Sequence, residues 1–350
     1  MLENMSALAI IPKAKAIGAQ RLTHEDYRAL MRKRSVLEVM ATLQNHPYFK
    51  HSLAGLSQTN LHRQQLEDAL SRDVFYKYGR LMRYSFRKGH FGSYFIIRCE
   101  INELLSKLRL LSIGMTAQYI VQMPGFLTLY TSFNLIALAK AGTAEECEKV
   151  VSTTPYAKIL HSVLPKNGAQ LDYLACEHAF ETYFYQFVLR MIDNDLSPRT
   201  AADTKKLFLY EAEIYNLDLL YRAKAFFGSQ FKPPVLRKLL LPIYGVLSQK
   251  SLFALADTHD LNAFLQLYNT GRAGKFYGVR NADFAGTRDA QSARVLYRQA
   301  EKLLHFSSSP QTALAALLCL ANLERSNIIN VIEGVRYGLP PEQIETFLKF

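Results

Sequence analysis

The stretch Glu213-Ile-Tyr-Asn216-Leu-Asp-Leu-Leu, which continues to Gly228, carries apolar residues at the three- and four-residue spacing of an α-helix. Two other stretches share its order of an acid, an asparagine and a distant glycine: Cys99-Glu100-Ile-Asn102 with Gly114, and Glu324-Arg-Ser-Asn327 with Gly338. In chain order, the asparagine precedes the glycine by 12, 12 and 11 residues. Glycine most easily adopts the left-handed backbone that follows a helix end. The three stretches therefore predict three equivalent helices, each of which stops at a glycine.

Other helix-start features recur at a similar interval. A capping box, in which a hydroxyl and a carboxylate satisfy free N–H groups at a helix start, occurs twice, each time before a Pro-Tyr pair. The matching positions are Ser35 with Thr143 and Tyr48 with Tyr156, 108 residues apart, and the Ser-Pro helix starts Ser197 with Ser309, 112 apart. In the last third, Thr258-His-Asp-Leu261 is a weaker capping box and no Pro-Tyr pair follows it. We predict three repeats of about 110 residues, at 1–115, 116–229 and 230–350.

Composition and periodicity together predict an all-α protein. The 350 residues are 49% hydrophobic and 21% charged, which excludes disorder and collagen. Helical spacing is found nearly everywhere, whereas the alternation of β-strands is hard to find. Four cysteines stand far apart, without a C-x-x-C pair, so we expect buried, reduced thiols and no zinc ribbon or disulfide scaffold.

The formal net charge of +12 is concentrated toward the ends of the chain. Residues 1–115 carry 18 basic and 9 acidic side chains, 116–229 carry 10 and 12, and 230–350 carry 14 and 9. A basic surface can face nucleic acid, anionic lipid or an acidic protein. One candidate basic face lies in the first third, interleaved with aromatic residues: Lys77, Arg80, Arg83, Arg87 and Lys88. The second repeat keeps the aromatics and only Arg190 of the cations, so we interpret the aromatics as core and the cations as a solvated or docking face.

The segment Leu110–Ala139 contains no charged side chain and is long enough to cross a bilayer. Its glutamine, threonine, serine and asparagine residues would need hydrogen-bond partners within lipid, and Pro124-Gly125 would break a helix in its middle. We expect buried core helices around a turn. We also expect no secretory signal, since the apolar stretch near the start is short.

The sequence shows no catalytic constellation. Walker A, G-x-G-x-x-G, G-x-S-x-G and H-E-x-x-H patterns are all missing from it. Glu177-His178-x-x-Glu181 lacks the Glu-x-x-His partner helix of a di-iron bundle, and His259-Asp260 is explained by helix capping. We therefore predict no catalytic, cofactor-binding or metal-binding residues.

The Glu-x-x-Asn pattern has two interpretations. In one, Glu213, Asn216, Glu324 and Asn327 are buried polar ties between helices. In the other, they line a socket and contact a partner. Recurrence in each repeat favours a constraint of the fold, because a partner need not present the same surface three times.

The ordered motifs resemble the central-stalk C subunit of V-type and A-type ATPases, called d in eukaryotes. The motifs that carry the resemblance are Leu22-Thr-His-Glu-Asp-Tyr27, Leu37–Leu43 with Pro47-Tyr48, Glu211–Leu217 with Arg222-Ala-Lys224, Glu324–Asn327, Arg336–Leu339 and Glu342-Gln-Ile344. Cys99 departs from the pattern, because an acid would stand three residues before the asparagine.

The resemblance implies a funnel of three pseudo-threefold helical repeats with a central cavity. Such a subunit performs no chemistry. It receives the central shaft, made of subunits of the D and F type, and rides on the membrane rotor ring of proteolipid subunits. It transmits torque for proton or sodium transport as a peripheral protein on the cytoplasmic face of a membrane. The membrane stator subunit and anionic lipid head groups are further contacts implied by this position.

The alternative is a basic all-α nucleic-acid-binding or scaffolding repeat protein. It would explain the positive charge and the missing catalytic groups. A repeat of about 110 residues is much longer than the 34–47 residues of common helical solenoids, which favours packed bundles. We expect no nucleic acid and no small-molecule substrate among the partners.

Overall fold

The computed structural model describes residues 2–56, 63–84, 91–165, 170–280 and 285–350. Within these ranges the chain is helical, and none of their residues lies in a β-strand. The all-α prediction is therefore confirmed for the described part of the chain.

Helix lengths follow an order that recurs three times: three helices of 4–10 residues precede two helices of 19–29 residues. The first set is α2 (His24–Met31), α3 (Val36–Asn45), α4 (Lys50–Leu53), α5 (Arg63–Met82) and α6 (Tyr94–Ser112), preceded by α1 (Leu2–Ala19). The second set, after α7 (Tyr119–Gln122), is α8 (Leu135–Lys140), α9 (Ala144–Val150), α10 (Tyr156–Val163), α11 (Tyr173–Asp195) and α12 (Pro198–Phe226). The third set, after α13 (Pro233–Leu239), is α14 (Gln249–Ala256), α15 (Leu261–Thr270), α16 (Arg272–Tyr277), α17 (Ala285–Phe306) and α18 (Pro310–Arg336), and α19 (Pro341–Thr346) ends the fold.

The chain divides into two compact units. Unit 1 comprises Met1–Gly89, Leu196–Phe231 and Tyr244–Phe350, and unit 2 comprises His90–Asp195 and Lys232–Ile243. These units group the helices differently from the ranges 1–115, 116–229 and 230–350, which describe sequence repeats and stay a prediction.

Each unit is built around one long helix. In unit 1, α18 packs against α17, α1 and α5, and most of its residues are buried. In unit 2, α11 packs against α6, α10 and α13. Burial of these apolar faces is the main stabilisation of each unit.

Local signals place most helix starts correctly. Ser35 and Thr143 each accept a hydrogen bond from the backbone N–H three residues on, at 3.2 Å. In the third set the helix α15 is capped by Asp260, whose Oδ1 accepts from Ala263 N at 2.8 Å. Thr258, which the sequence pattern suggested as the cap, instead donates to the Leu255 carbonyl. A carboxylate two residues later thus replaces the expected hydroxyl.

The uncharged segment Leu110–Ala139 differs from its prediction. It forms short helical turns around Pro124, with Tyr119 and Leu127 buried, but Val121 and Leu129 are exposed. The expectation of buried core helices is therefore wrong for part of this segment. In the part of the chain that the structure describes, no helix has the length and apolar character needed to span a membrane.

The four cysteines are free thiols. Cys147 and Cys176 are buried, and burial raises their thiol pKa values to about 12 and about 11. Both thiols are therefore protonated and unreactive at neutral pH.

Candidate functional site

Glu213, on α12 in unit 1, is fully buried and accepts four hydrogen bonds. Its Oε1 accepts from Gly245 N and Leu247 N, each at 2.7 Å, and its Oε2 accepts from Val246 N at 2.9 Å. The Tyr277 hydroxyl donates to Oε2 at 2.6 Å. Four donors compensate the cost of burying this carboxylate and fix the 245–247 segment and the end of α16 to α12.

Glu100, on α6 in unit 2, makes a similar set of contacts with fewer donors. Its side chain is 3% exposed. Its Oε1 accepts from the backbone N–H of Ser132, and its Oε2 accepts from the Tyr156 hydroxyl at 2.5 Å. Burial and the adjacent Glu100 raise the pKa of Tyr156, so the phenol keeps the proton that it donates.

Glu324, on α18 in unit 1, has the least complete set. Its Oε1 accepts from Leu22 N at 2.9 Å. The nearby Tyr48 hydroxyl lowers the pKa of this carboxyl. Among the described residues, however, neither the Tyr48 hydroxyl nor Glu324 Oε2 has a hydrogen-bond partner of acceptable geometry. Burial is the largest effect and raises the Glu324 pKa to about 7, against the opposing effects of Leu22 N–H, Lys77 and Arg21.

The three glutamates share one structural role. Each sits on the second long helix of a set and accepts from a backbone N–H one to three residues before the helix cap of another set. Those caps are Asn134 of α8, Ser248 of α14 and Thr23 of α2. A buried tyrosine accompanies each carboxylate. Each of these carboxylates therefore hydrogen-bonds to another part of the same chain.

The asparagines are less uniform than the glutamates. Asn216 and Asn327 are buried, and Asn327 Oδ1 accepts from Lys349 N at 2.8 Å. Asn102, however, is exposed. Three residues after Glu100 stands Glu103, which accepts from the Tyr119 hydroxyl at 2.8 Å. The register that aligned Asn102 with Asn216 and Asn327 is therefore wrong by one residue, and Glu103 occupies that place.

The three terminal glycines adopt the expected backbone. Gly114, Gly228 and Gly338 have φ of 73°, 51° and 66°, and each stands two residues after the last residue of its helix. At Gly338 the next residue's N–H donates to the Gly334 carbonyl at 2.9 Å, and Gly338 N donates to Val335 O at 3.1 Å. This pair of bonds closes the helix end as a Schellman motif.

The candidate basic face is only partly present. Lys77 is 4% exposed, forms an ion pair with Asp73, and lies 3.5 Å from the centre of the Tyr48 ring. Its assignment to a solvated or docking face is therefore wrong. Burial lowers its pKa while the Asp73 charge opposes this effect. Arg80 and Arg83 are exposed as expected, whereas Arg87 and Lys88 lie outside the described residues.

The aromatic residues around these cations are also divided. Phe75 and Tyr78 are buried, as the core interpretation requires, but Tyr76 is 52% exposed. The opposite sides of α5 therefore carry different surfaces, a packed one with Lys77 and an exposed one with Tyr76 and Arg80.

Sequence reasoning missed two buried lysines that bind helix ends. Lys107 Nζ donates to the Ala139 carbonyl at 3.1 Å, and Lys224 Nζ donates to the Ala256 carbonyl at 2.9 Å. These carbonyls lie in the last turns of α8 and α14, where a cation also meets the negative end of the helix dipole. In each case the carbonyl lies 32 residues after the lysine. No local pattern marks such a lysine, because its partner is a backbone carbonyl far along the chain.

The side chains of the two candidate metal-binding patterns form hydrogen bonds and ion pairs with other residues of the chain. His178 Nε2 lies 3.2 Å from the Leu240 carbonyl, and Glu181 pairs with Arg98 at 2.6 Å. Asp260 is the cap of α15, with His259 Nε2 at 3.0 Å. Among the residues that the structure describes, no three histidine, cysteine or acidic side chains are grouped as metal ligands would be.

The model of the family described as ATP synthase (C/AC39) subunit matches residues 10–347, nearly the whole chain. No curated protein matches the sequence.

Proposed function

Because the chain belongs to the ATP synthase (C/AC39) subunit family, we propose that it is the non-catalytic central-stalk subunit of a V-type or A-type ATPase. In this role it receives the central shaft and rides on the proteolipid ring of the membrane rotor. It transmits torque between the ATP-hydrolysing head and the ion-carrying ring, on the cytoplasmic face of the membrane. The family match over residues 10–347 is the observation that carries the proposal.

A coupling element must be stiff against twist, and the three glutamate ties supply stiffness. Each tie joins a long helix to the start of a short helix through a buried charge-assisted hydrogen bond. Breaking such a bond exposes or orphans a buried carboxylate, which costs about 1–3 kcal/mol or more. The ties therefore keep the long helices from sliding past their neighbours under load.

The recurring order of three short and two long helices supports three repeats around a common axis. Such repeats would leave a hollow that accepts the end of a shaft of D- and F-type subunits. Wide packing and complementary charges would fix the angular register of the shaft.

Arg80 and Arg83 are the described part of the candidate docking face toward the membrane sector. A cation close to anionic head groups contributes about 1 kcal/mol to membrane association. Because Lys77 is buried in an ion pair, this face has fewer cations than the sequence suggested. The burial of Lys77 also weakens the alternative of a nucleic-acid-binding protein, because such a protein needs a continuous surface of basic and aromatic residues.

The test is affinity purification of the tagged chain from a mild-detergent membrane extract. We expect the shaft subunits and the proteolipid ring to accompany it. The variant Arg80→Glu with Arg83→Glu should recover less of the ring, because two favourable charges become unfavourable. The control Lys158→Glu with Lys250→Glu changes the net charge equally at two other exposed positions. A chain that purifies with nucleic acid and without rotor subunits would refute the proposal, whereas equal ring recovery by both variants would refute only the docking face.

A further inference from the structure

A cavity of about 530 Å³ opens in unit 1 between α12, the segment before α14, and α16. Its lining includes the cations Lys206, Arg272 and Lys275 and the aromatic residues Tyr210 and Phe276. Pockets that bind small ligands have volumes of about 300–1,000 Å³. The cavity is therefore of a size that admits a small molecule, and none of the roles described above uses it.

The walls of the cavity are held in place by Glu213. Gly245 and Val246, which line it, donate their backbone N–H groups to that carboxylate. Tyr277, next to Phe276 at the end of α16, donates its hydroxyl to the same carboxylate. A side chain at Gly245 would bring its Cβ within 3.1 Å of Leu209 Cβ, so the glycine permits the close approach of this wall to α12. The cavity is a fixed feature of the fold because a buried tie braces two of its sides.

The charges around the opening are unbalanced. Lys206 pairs with Asp203 at 2.8 Å, and that hydrogen bond raises the lysine pKa. Arg272 and Lys275 lie one turn apart on α16, are exposed, and form no ion pair with any described residue. The carboxylate of Glu213 is already engaged by four donors. An excess of positive charge therefore faces the cavity, which favours an anionic ligand.

The aromatic residues of the lining favour a second feature of the ligand, a planar ring. The Tyr210 and Phe276 rings meet edge to face, with centroids 5.2 Å apart, and Phe276 is 37% exposed. Burial raises the Tyr210 pKa, so its hydroxyl remains a hydrogen-bond donor. A partly exposed aromatic face beside several cations suits a planar ring that carries phosphate groups.

We propose that this cavity binds a nucleoside polyphosphate, with its phosphates at Lys206, Arg272 and Lys275 and its base against Phe276. The ligand binds in the cavity and undergoes no reaction there. The site lies on the chain itself, so its test is independent of assembly with a shaft or ring.

The experiment is isothermal titration of the purified full-length chain with ADP at low ionic strength and with EDTA. We expect saturable binding of one ADP per chain, about tenfold weaker binding of pyrophosphate, and no measurable binding of adenosine. The variant Arg272→Glu with Lys275→Glu should weaken ADP binding by more than about tenfold, because each charge-assisted contact contributes on that order. Circular dichroism and the melting temperature establish that the variant is folded.

The matched control is again Lys158→Glu with Lys250→Glu, which alters the net charge equally at two exposed positions that do not line the cavity. It should weaken ADP binding much less than Arg272→Glu with Lys275→Glu does, because neither lysine is among the residues that line the cavity. Three outcomes would overturn the proposal: no saturable ADP binding, equal weakening by the two double variants, or pyrophosphate binding as tight as ADP binding.

Discussion

Replacing Glu324 with glutamine should change how the stability of this protein depends on pH. The Glu324 carboxyl is buried, accepts one hydrogen bond from Leu22 N, and has a pKa raised from 4.5 to about 7 by burial. Below pH 4.5 it is protonated in both the folded and unfolded states. Between pH 4.5 and 7 only the folded state keeps the proton, so the free energy of unfolding falls as the pH rises. Above pH 7 both states are ionised and this contribution is lost.

The size of the effect follows from the pKa difference. One pKa unit corresponds to about 1.4 kcal/mol, so the full effect is about 3 kcal/mol, and most of it falls between pH 5 and pH 8. Glu324→Gln removes the titration and leaves the other ionisable groups in place. The stability of the wild type relative to the variant should therefore fall by about 2–3 kcal/mol over this interval.

The assay is urea unfolding of both proteins at pH 5, 6, 7 and 8, followed by far-ultraviolet circular dichroism. Subtracting the two curves cancels the titration of groups that the variant retains. Glu213→Gln is the control, because its carboxylate has four donors and an amide would place an N–H against one of them. It should be destabilised at every pH, by about 2 kcal/mol. A constant difference between wild type and Glu324→Gln from pH 5 to 8 would refute the reasoning.

Two further predictions concern α5 and the end of α18. Lys77→Met should destabilise the protein by about 3 kcal/mol in urea unfolding, because it leaves the Asp73 carboxylate buried without its ion-pair partner; adding Asp73→Asn should recover much of this loss, and a double variant no better than the single one would contradict the ion-pair explanation. Gly338→Ala should lower stability by about 1 kcal/mol, because a Cβ is strained at φ 66° although nothing crowds the position; an unchanged melting temperature would show that the helix end relaxes.

The sequence allowed the helix ends to be predicted because their chemistry is local. A capping hydroxyl at Ser35 or Thr143 accepts a hydrogen bond from a backbone N–H three residues away. A glycine such as Gly338 allows its own backbone to adopt a positive φ. Both signals lie within a few residues of the feature that they specify. The predicted cap was wrong at α15, where a carboxylate at Asp260 serves as well as a hydroxyl, and Ser197 precedes α12 without a capping hydrogen bond from its side chain.

Burial of charge could not be predicted in the same way. Lys77 belongs by its spacing to a row of cations, but Asp73 one turn earlier and the Tyr48 ring from the turn between α3 and α4 make its burial tolerable. The exposure of Val121 and Leu129 is the converse case, since apolar residues in an uncharged segment looked like core. In both cases the deciding neighbours come from the tertiary structure, not from the pattern along the helix.

The candidate site shows that a buried glutamate recurs in the three helix sets while its surroundings differ. Glu213 has four donors, Glu100 has two, and Glu324 has one with an oxygen left unsatisfied. The sequence identifies the three carboxylates but not this gradient, because the donors lie 32 to 64 residues later or, for Leu22, 302 residues earlier. The supporting tyrosine can also come from either end of a short helix: Tyr156 begins α10, whereas Tyr277 ends α16. A Pro-Tyr pair is therefore not needed to supply this tyrosine, and the last third of the chain provides the phenol without one. What the three helix sets share is a buried carboxylate that needs donors, and in each case the donors come from residues that belong to another set.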